Sequence, residues 1–162
     1  MKLEKWALLA EILSASAVVS SLVFVGLQVR QGAEETALNT RAIQVNAYQN
    51  LTAQLSTVNS LVIENSDLAE AFSRIYQPDA PVSELAEIKL RSLMTLIYRH
   101  GEMAFVQYQN GLISENQLIS MLVPVMAVVA SELGREIWDS NPALSSEFKR
   151  YVENLAASVD SR

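Results

Sequence analysis

Trp6–Val29 reads WALLAEILSASAVVSSLVFVGLQV, and this stretch decides how the protein is built. From Ile12 to Val29 it runs for eighteen residues without a charge, and back to Trp6 only Glu11 interrupts it. A helix that crosses a bilayer needs about 20 predominantly apolar residues at 1.5 Å each, so the stretch is long enough. Its ends suit the two interfaces. Trp6 offers an amphipathic ring and Lys5 (with Lys2) a cation on one side, and Arg30 closes the other. The stretch reads as a transmembrane helix. Two other readings compete. A cleaved signal peptide could use Ala15-Ser16-Ala17, but the apolar run continues well past that point, beyond the ~7–15 residues such peptides carry. A buried core helix of a soluble oligomer would account for Glu11 and for Ser14, Ser16, Ser20 and Ser21. Lys2 and Lys5 before the span and Arg30 and Arg41 after it nearly balance, so positive charge does not set an orientation.

Outward from this helix, composition narrows the class. Of the 162 residues 50% are hydrophobic and 19% charged, against about 25% charged for an ordinary soluble domain, which excludes a disordered chain. No cysteine is present, which removes disulfides, thiolate zinc sites and cysteine nucleophiles. A net charge of -6 has the wrong sign for nucleic-acid phosphates, so no nucleic-acid partner is expected.

The rest reads as helix throughout, with no alternating stretch that asks to be a strand. The fold class is all-α: an anchor over residues 1–31 and a helical domain over 32–162, a bundle of about five or six helices. Gln31-Gly32 either kinks the chain or is absorbed into one long rod. Tyr48, Leu51, Leu55, Val58 and Val62 form a 3-4 spaced seam two heptads long. Asn65-Ser66-Asp67 breaks that helix and caps a short one over Leu68–Gln77, with Leu68, Phe72 and Ile75 on one face. The run from Gln77 to Pro81 is the clearest loop. Ser83 caps a long helix with Ile88, Leu93, Leu96, Ile97 and Phe105 as its apolar residues, stopped at Asn110-Gly111. Ser114 and Gln117 have capping-box spacing and open the next helix. That helix holds Leu118–Ala130, LISMLVPVMAVVA, which is short for a span and suits a buried core helix kinked at Pro124. Gly134 and Asn141-Pro142 punctuate its end. A last amphipathic helix carries Phe148, Tyr151, Val152 and Leu155.

Ala10-Glu11-Ile12, Ser14-Ala15, Ala17-Val18-Val19, Ser21-Leu22, Phe24-Val25-Gly26-Leu27-Gln28 and Arg30-Gln31 follow a pattern, AEI-x-SA-x-AVV-x-SL-x-FVGLQ-x-RQ. In this the chain resembles a large family of small, uncharacterised bacterial membrane proteins. Weaker matches are Leu68-Ala69-Glu70, Phe105-Val106-Gln107-Tyr108, Gly111-Leu112-Ile113 and Phe148-Lys149-Arg150-Tyr151-Val152. The chain departs from the family at Val123–Ala130, where such proteins are more amphipathic and richer in tryptophan. The resemblance implies a single-pass anchor in the bacterial inner membrane and a cytoplasmic all-α domain. It carries no activity.

Catalytic, cofactor-binding and metal residues are not found, and no cofactor is expected. His100 is the sole histidine; Glu102 lies two positions on, at a different angle of a helix, so the two form no dyad. Arg99 and Glu102 read as an i,i+3 ion pair, and His100 as a surface or rim histidine. The Glu-x-x-His of a di-iron bundle is missing, because Ile97 stands three before His100. Ser146-Glu147-Phe148-Lys149 spells S-x-x-K without its companion motifs. The residues singled out lie on the first helix. Ser16 with Ser20 and Ala17 with Ser21 are small-x-x-x-small pairs, and Gly26 extends a surface on which helices pack closely in lipid. Glu11 either sits near the headgroups or serves a contact or a proton site. The expected partners are the bilayer and another membrane protein, or the chain itself, through this helix. The leading reading is a non-enzymatic accessory or assembly subunit. The alternatives are an enzyme or small-ligand binder with a pocket lined by Met94, Met103, Tyr98 and Met126, or a homo-oligomeric ring or pore built on the first helix.

Overall fold

A computed structural model describes residues 2–73 and 83–160. These form six helices: α1 (Lys2–Glu64), α2 (Ser66–Ser73), α3 (Glu84–Gln109), α4 (Glu115–Val129), α5 (Glu132–Ser140) and α6 (Ser146–Asp160). The protein is all-α, and no strand occurs among the described residues. The chain divides into two compact units, residues 1–43 and 44–162, and α1 contributes to both. The loop expected from Gln77 to Pro81, and the end of the short helix before it, lie outside the described residues.

The first unit is helix and nothing else. Every described side chain from Lys5 to Ile43 is exposed. Gln31-Gly32 is absorbed without a break. Pairs one turn apart carry the helix across it: Arg30 donates to Glu34 at 3.0 Å, Gln31 to Glu35 at 3.1 Å, and the Thr36 hydroxyl to the Gly32 carbonyl at 2.7 Å. A helical glycine costs only about 1 kcal/mol, which neighbouring turns offset.

In the second unit the seam of α1 turns inward as expected: Leu51 and Val58 are buried, and Tyr48, Leu55 and Val62 half-buried. Asn65 ends α1 and caps α2, its Oδ1 accepting from the Leu68 N–H at 3.1 Å. Gln44 Nε2 donates to the Gly111 carbonyl at 3.0 Å, and Lys89 pairs with Asp67 at 3.3 Å. Residues 44–64 therefore run antiparallel to α3.

Helix α3 begins where Ser83 accepts from the Ala86 N–H at 3.2 Å. It ends in a Schellman turn, with Gly111 N–H on the Tyr108 carbonyl and Leu112 N–H on that of Gln107, both at 2.9 Å. Gly111 takes φ 69°, the region glycine enters without a Cβ penalty. The core wraps this helix. Tyr98 meets Trp138 edge-on at 5.1 Å, Trp138 meets Phe148 at 5.5 Å, and Phe148 meets Phe105 at 5.7 Å, so aromatic rings link α3, α5 and α6. Gly101 makes room for this packing, since a Cβ there would lie 2.5 Å from Val125 Cγ2. Two expected core residues of α3 point away: Ile88 is 56% and Leu96 44% exposed. Their apolar character is real, but the bundle covers the other side of the helix.

Helix α4 opens with both bonds of the Ser114–Gln117 capping box. Six of its residues, Leu118, Met121, Leu122, Val125, Val128 and Val129, are buried, so the LISMLVPVMAVVA stretch is a core helix of the bundle. It continues through Pro124 to Val129, and the sharp bend, 107°, falls between α4 and α5. That corner corrects the reading of Gly134. It lies in the first turn of α5 rather than past a helix end. Ser131 caps α5, accepting from the Gly134 N–H at 3.1 Å and donating to the Val128 carbonyl at 2.7 Å. A Cβ on Gly134 would collide with that same carbonyl. The glycine is there for close approach.

Candidate functional site

Two places in the chain are chemically out of the ordinary. The first is Trp6–Val29. One helix near the N-terminus is long and apolar enough to cross a membrane, and none of its apolar window is buried against protein. Trp6 and Arg30 lie 24 residues apart, about 36 Å of helix against a hydrocarbon core of ~30 Å. Lys5 and Trp6 at one end and Arg30 at the other thus stand at interface separation. Arg30 is paired with Glu34 at 3.0 Å, but both side chains are well exposed, so the pair contributes only tenths of a kcal/mol. Glu11 is exposed about 8 Å along the axis from Trp6. Ser16, Ala17, Ser20 and Ser21 are exposed within about 140° of helix circumference, and nothing among the described residues lies within 4 Å of a Cβ built on Gly26. Among the described residues of the first unit, no side chain covers this stripe. Ser14 does what serines in apolar helices often do, donating to its own helix at the Ala10 carbonyl, 2.8 Å away.

The second place is inside the bundle, and it overturns the reading of His100. The residue is 5% exposed, not a rim histidine. Neither Nδ1 nor Nε2 has a hydrogen-bond partner among the described residues. Burial pushes its pKa below the ordinary 6.5, so the imidazole is held neutral. Gln107 Oε1 is likewise buried and unpartnered. Seven residues apart on one helix, the two share a face. They belong to a 4-3 spaced series on α3, Leu93, Ile97, His100, Ala104 and Gln107. The signal was present in the sequence: a histidine and a glutamine occupying heptad positions of an apolar series.

The neighbours of His100 do other work. Arg99 pairs with Glu102 at 2.6 Å, as the i,i+3 spacing suggested, and also donates to the Ala143 carbonyl at 2.8 Å. The other oxygen of Glu102 accepts from the Ser145 N–H at 2.7 Å, tying α3 to the start of α6. No group of three metal-ligating side chains occurs among the described residues. The proposed lining of Met94, Met103, Tyr98 and Met126 is not assembled. Met94 and Tyr98 are core, with the Tyr98 hydroxyl donating to the Gly134 carbonyl at 2.7 Å, while Met103 is 41% exposed on the opposite side of α3. Burial raises the Tyr98 pKa, and the phenol stays protonated. Ser146 and Lys149 lie on an outer turn of α6, and Lys149 donates to the Asp139 carbonyl at 3.3 Å. No protein-family model matches the chain, and no curated protein or solved structure does.

Proposed function

We propose that this is a single-pass membrane protein whose helical bundle acts as a non-enzymatic accessory or assembly subunit. The carrying observation is the complete exposure of Trp6–Val29. About a dozen large apolar side chains stand in the open there, and each gains roughly 1.5–3 kcal/mol on leaving water. Hydrocarbon satisfies them, and the unit holding them offers no other cover. The likeness of residues 10–31 to the helix of small bacterial membrane proteins supports the same reading and an inner-membrane location. The bundle supports a binding role over catalysis: among the described residues His100 has no hydrogen-bond partner, the Lys89–Asp67, Arg91–Glu136 and Arg135–Glu153 pairs tie helices together, and Met94 and Tyr98 are packed while Met103 points outward.

The partners in this reading are the bilayer and a membrane protein, or a second copy, meeting the first helix at Ser16, Ala17, Ser20, Ser21 and Gly26. Carbonate extraction tests the anchor. The full chain is expected in the membrane pellet, and a chain lacking residues 1–30 in the supernatant. A soluble full chain, or a truncated chain that still pellets, overturns the single-pass reading. Purification in mild detergent then tests the role. A co-purifying second protein supports an accessory subunit; a bound small molecule favours the ligand binder and a closed homo-oligomer the ring.

A further inference from the structure

After its apolar window, α1 continues through residues 30–43, and every side chain there is exposed. Eight of these fourteen residues are charged, amide or hydroxyl residues, so water is a suitable surrounding. A helix polar on all sides stands on its local pairs alone. Those are the contacts of Arg30 with Glu34 and of Gln31 with Glu35, both weak at such exposure. Gly32, Thr36, Asn39 and Thr40 are poor helix formers.

Opening a few residues inside a helix costs about one nucleation step, a factor of about 10³. In the bundle the same opening must also pull out fully buried side chains such as Leu51, Trp138 and Phe148. Residues 30–43 bear only the first cost. A protease binds its substrate as an extended strand, so it cuts where a helix opens.

One bond in this stretch is suited to cleavage. Arg41 is exposed and forms no ion pair among the described residues, whereas Arg30, Arg91, Arg99 and Arg135 each form one. It is also the one lysine or arginine of the sequence with no acidic residue within five positions on either side. Proteases that select arginine seat it against a carboxylate of their own, so acidic neighbours compete for the side chain and repel the enzyme. Ala42 follows, with no proline at the bond. Arg41 stands 11 residues beyond Arg30, about 16 Å of helix, which leaves an enzyme room.

We infer that residues 36–43 are a proteolytic release site, where an arginine-directed endoprotease hydrolyses the Arg41–Ala42 bond and frees the bundle from its membrane helix. Water adds to the Arg41 carbonyl, the peptide C–N bond breaks, and the products are a carboxylate on Arg41 and an amine on Ala42. Release rests on the single-pass reading above; the position of the cut does not.

Trypsin at low ratio is the probe, acting on the full chain in lipid nanodiscs, where both membrane faces are open. Arg74, outside the described residues, is replaced (Arg74→Gln). Products are identified by intact mass, and the readout is the first cut that parts Trp6 from Trp138, the two tryptophans of the chain. That cut is expected after Arg41, giving residues 42–162. Ala37→Gly is expected to speed it about five-fold, and Thr36→Ala with Asn39→Ala to slow it about five-fold, because local opening sets the rate. A first cut after Arg30 or inside the bundle overturns the proposal, as do equal rates in all three chains. Carbonate extraction of the products then separates the two readings. Residues 42–162 are expected in the supernatant and 1–41 in the pellet; a 42–162 fragment that pellets overturns release. If 1–41 is itself soluble, the membrane reading fails and the cleavage site stands. If the full chain pellets and is not cut at Arg41, the release site fails and the membrane reading stands.

Discussion

Acidification is expected to weaken the bundle through His100, and replacing that residue with leucine is expected to remove the effect. The imidazole is buried, without a hydrogen-bond partner among the described residues, and neutral in the folded protein, its pKa held below 6.5 by lost hydration. In the unfolded chain it titrates near 6.5. Below that value the unfolded state binds the extra proton, so stability is full above about pH 6.5 and falls as pH drops toward the folded-state pKa. Between pH 7 and 5.5 the loss is at most about 1.3 kcal/mol, the limit for a histidine that never protonates in the fold. Carboxylates contribute too, but equally in wild type and His100→Leu, so the difference between their pH profiles isolates the histidine. At pH 7 the leucine variant loses no hydrogen bond and is expected to be at least as stable. The assay is urea unfolding read from Trp138, fully buried in the core, in a Trp6→Phe background that leaves it the sole tryptophan. Equal slopes for wild type and variant from pH 7 to 5.5 would refute the reasoning, as would a histidine resonance titrating near 6.5 in the folded protein.

The remaining predictions use the same unfolding measurement unless stated. Gly134→Ala drives a methyl into the Val128 carbonyl and is expected to cost on the order of 2–3 kcal/mol. Gly32→Ala, in open space on an exposed helix, is expected to raise helicity by circular dichroism and to cost nothing. Tyr98→Phe leaves the Gly134 carbonyl without its buried donor and is expected to cost about 1–3 kcal/mol. Ser114→Ala breaks the capping box at the start of α4, for about 0.5–2 kcal/mol. In lipid, Ser16→Leu with Ser20→Leu is expected to reduce association of the first helix while leaving insertion intact, with Val19→Leu and Val23→Leu as controls; equal assembly size in all constructs removes that surface.

What could be read without coordinates was local. Ser83, Ser114 with Gln117, Asn65 and Asn110-Gly111 act within three or four residues, so helix ends follow from nearest neighbours in the chain. The apolar run of Trp6–Val29 declares a helix needing cover through length alone. The inward seam from Tyr48 to Val62 follows from spacing, because periodicity along one helix needs no partner to be visible.

What the tertiary structure decided depends on distance across the fold. Gly134 is a glycine because the Val128 carbonyl comes back against it round a 107° corner, a contact with no trace in spacing. Ile88, Leu96 and Met103 are as apolar as Leu93 and Ile97, but α3 has two apolar sides, and only the neighbours' positions choose which is core. His100 was misread for the same reason. Arg99 and Glu102 beside it belong on a surface, yet one step round the helix, about 100°, carries a side chain from solvent into the bundle. Sequence alone marked the helix ends that carry local caps, at Ser83, Asn110-Gly111 and Ser114, because those energies are local, but it did not separate α5 from α4; burial, which made a neutral histidine of His100 and an open face of Leu85 to Val106, belongs to the packing of helices far apart in the chain.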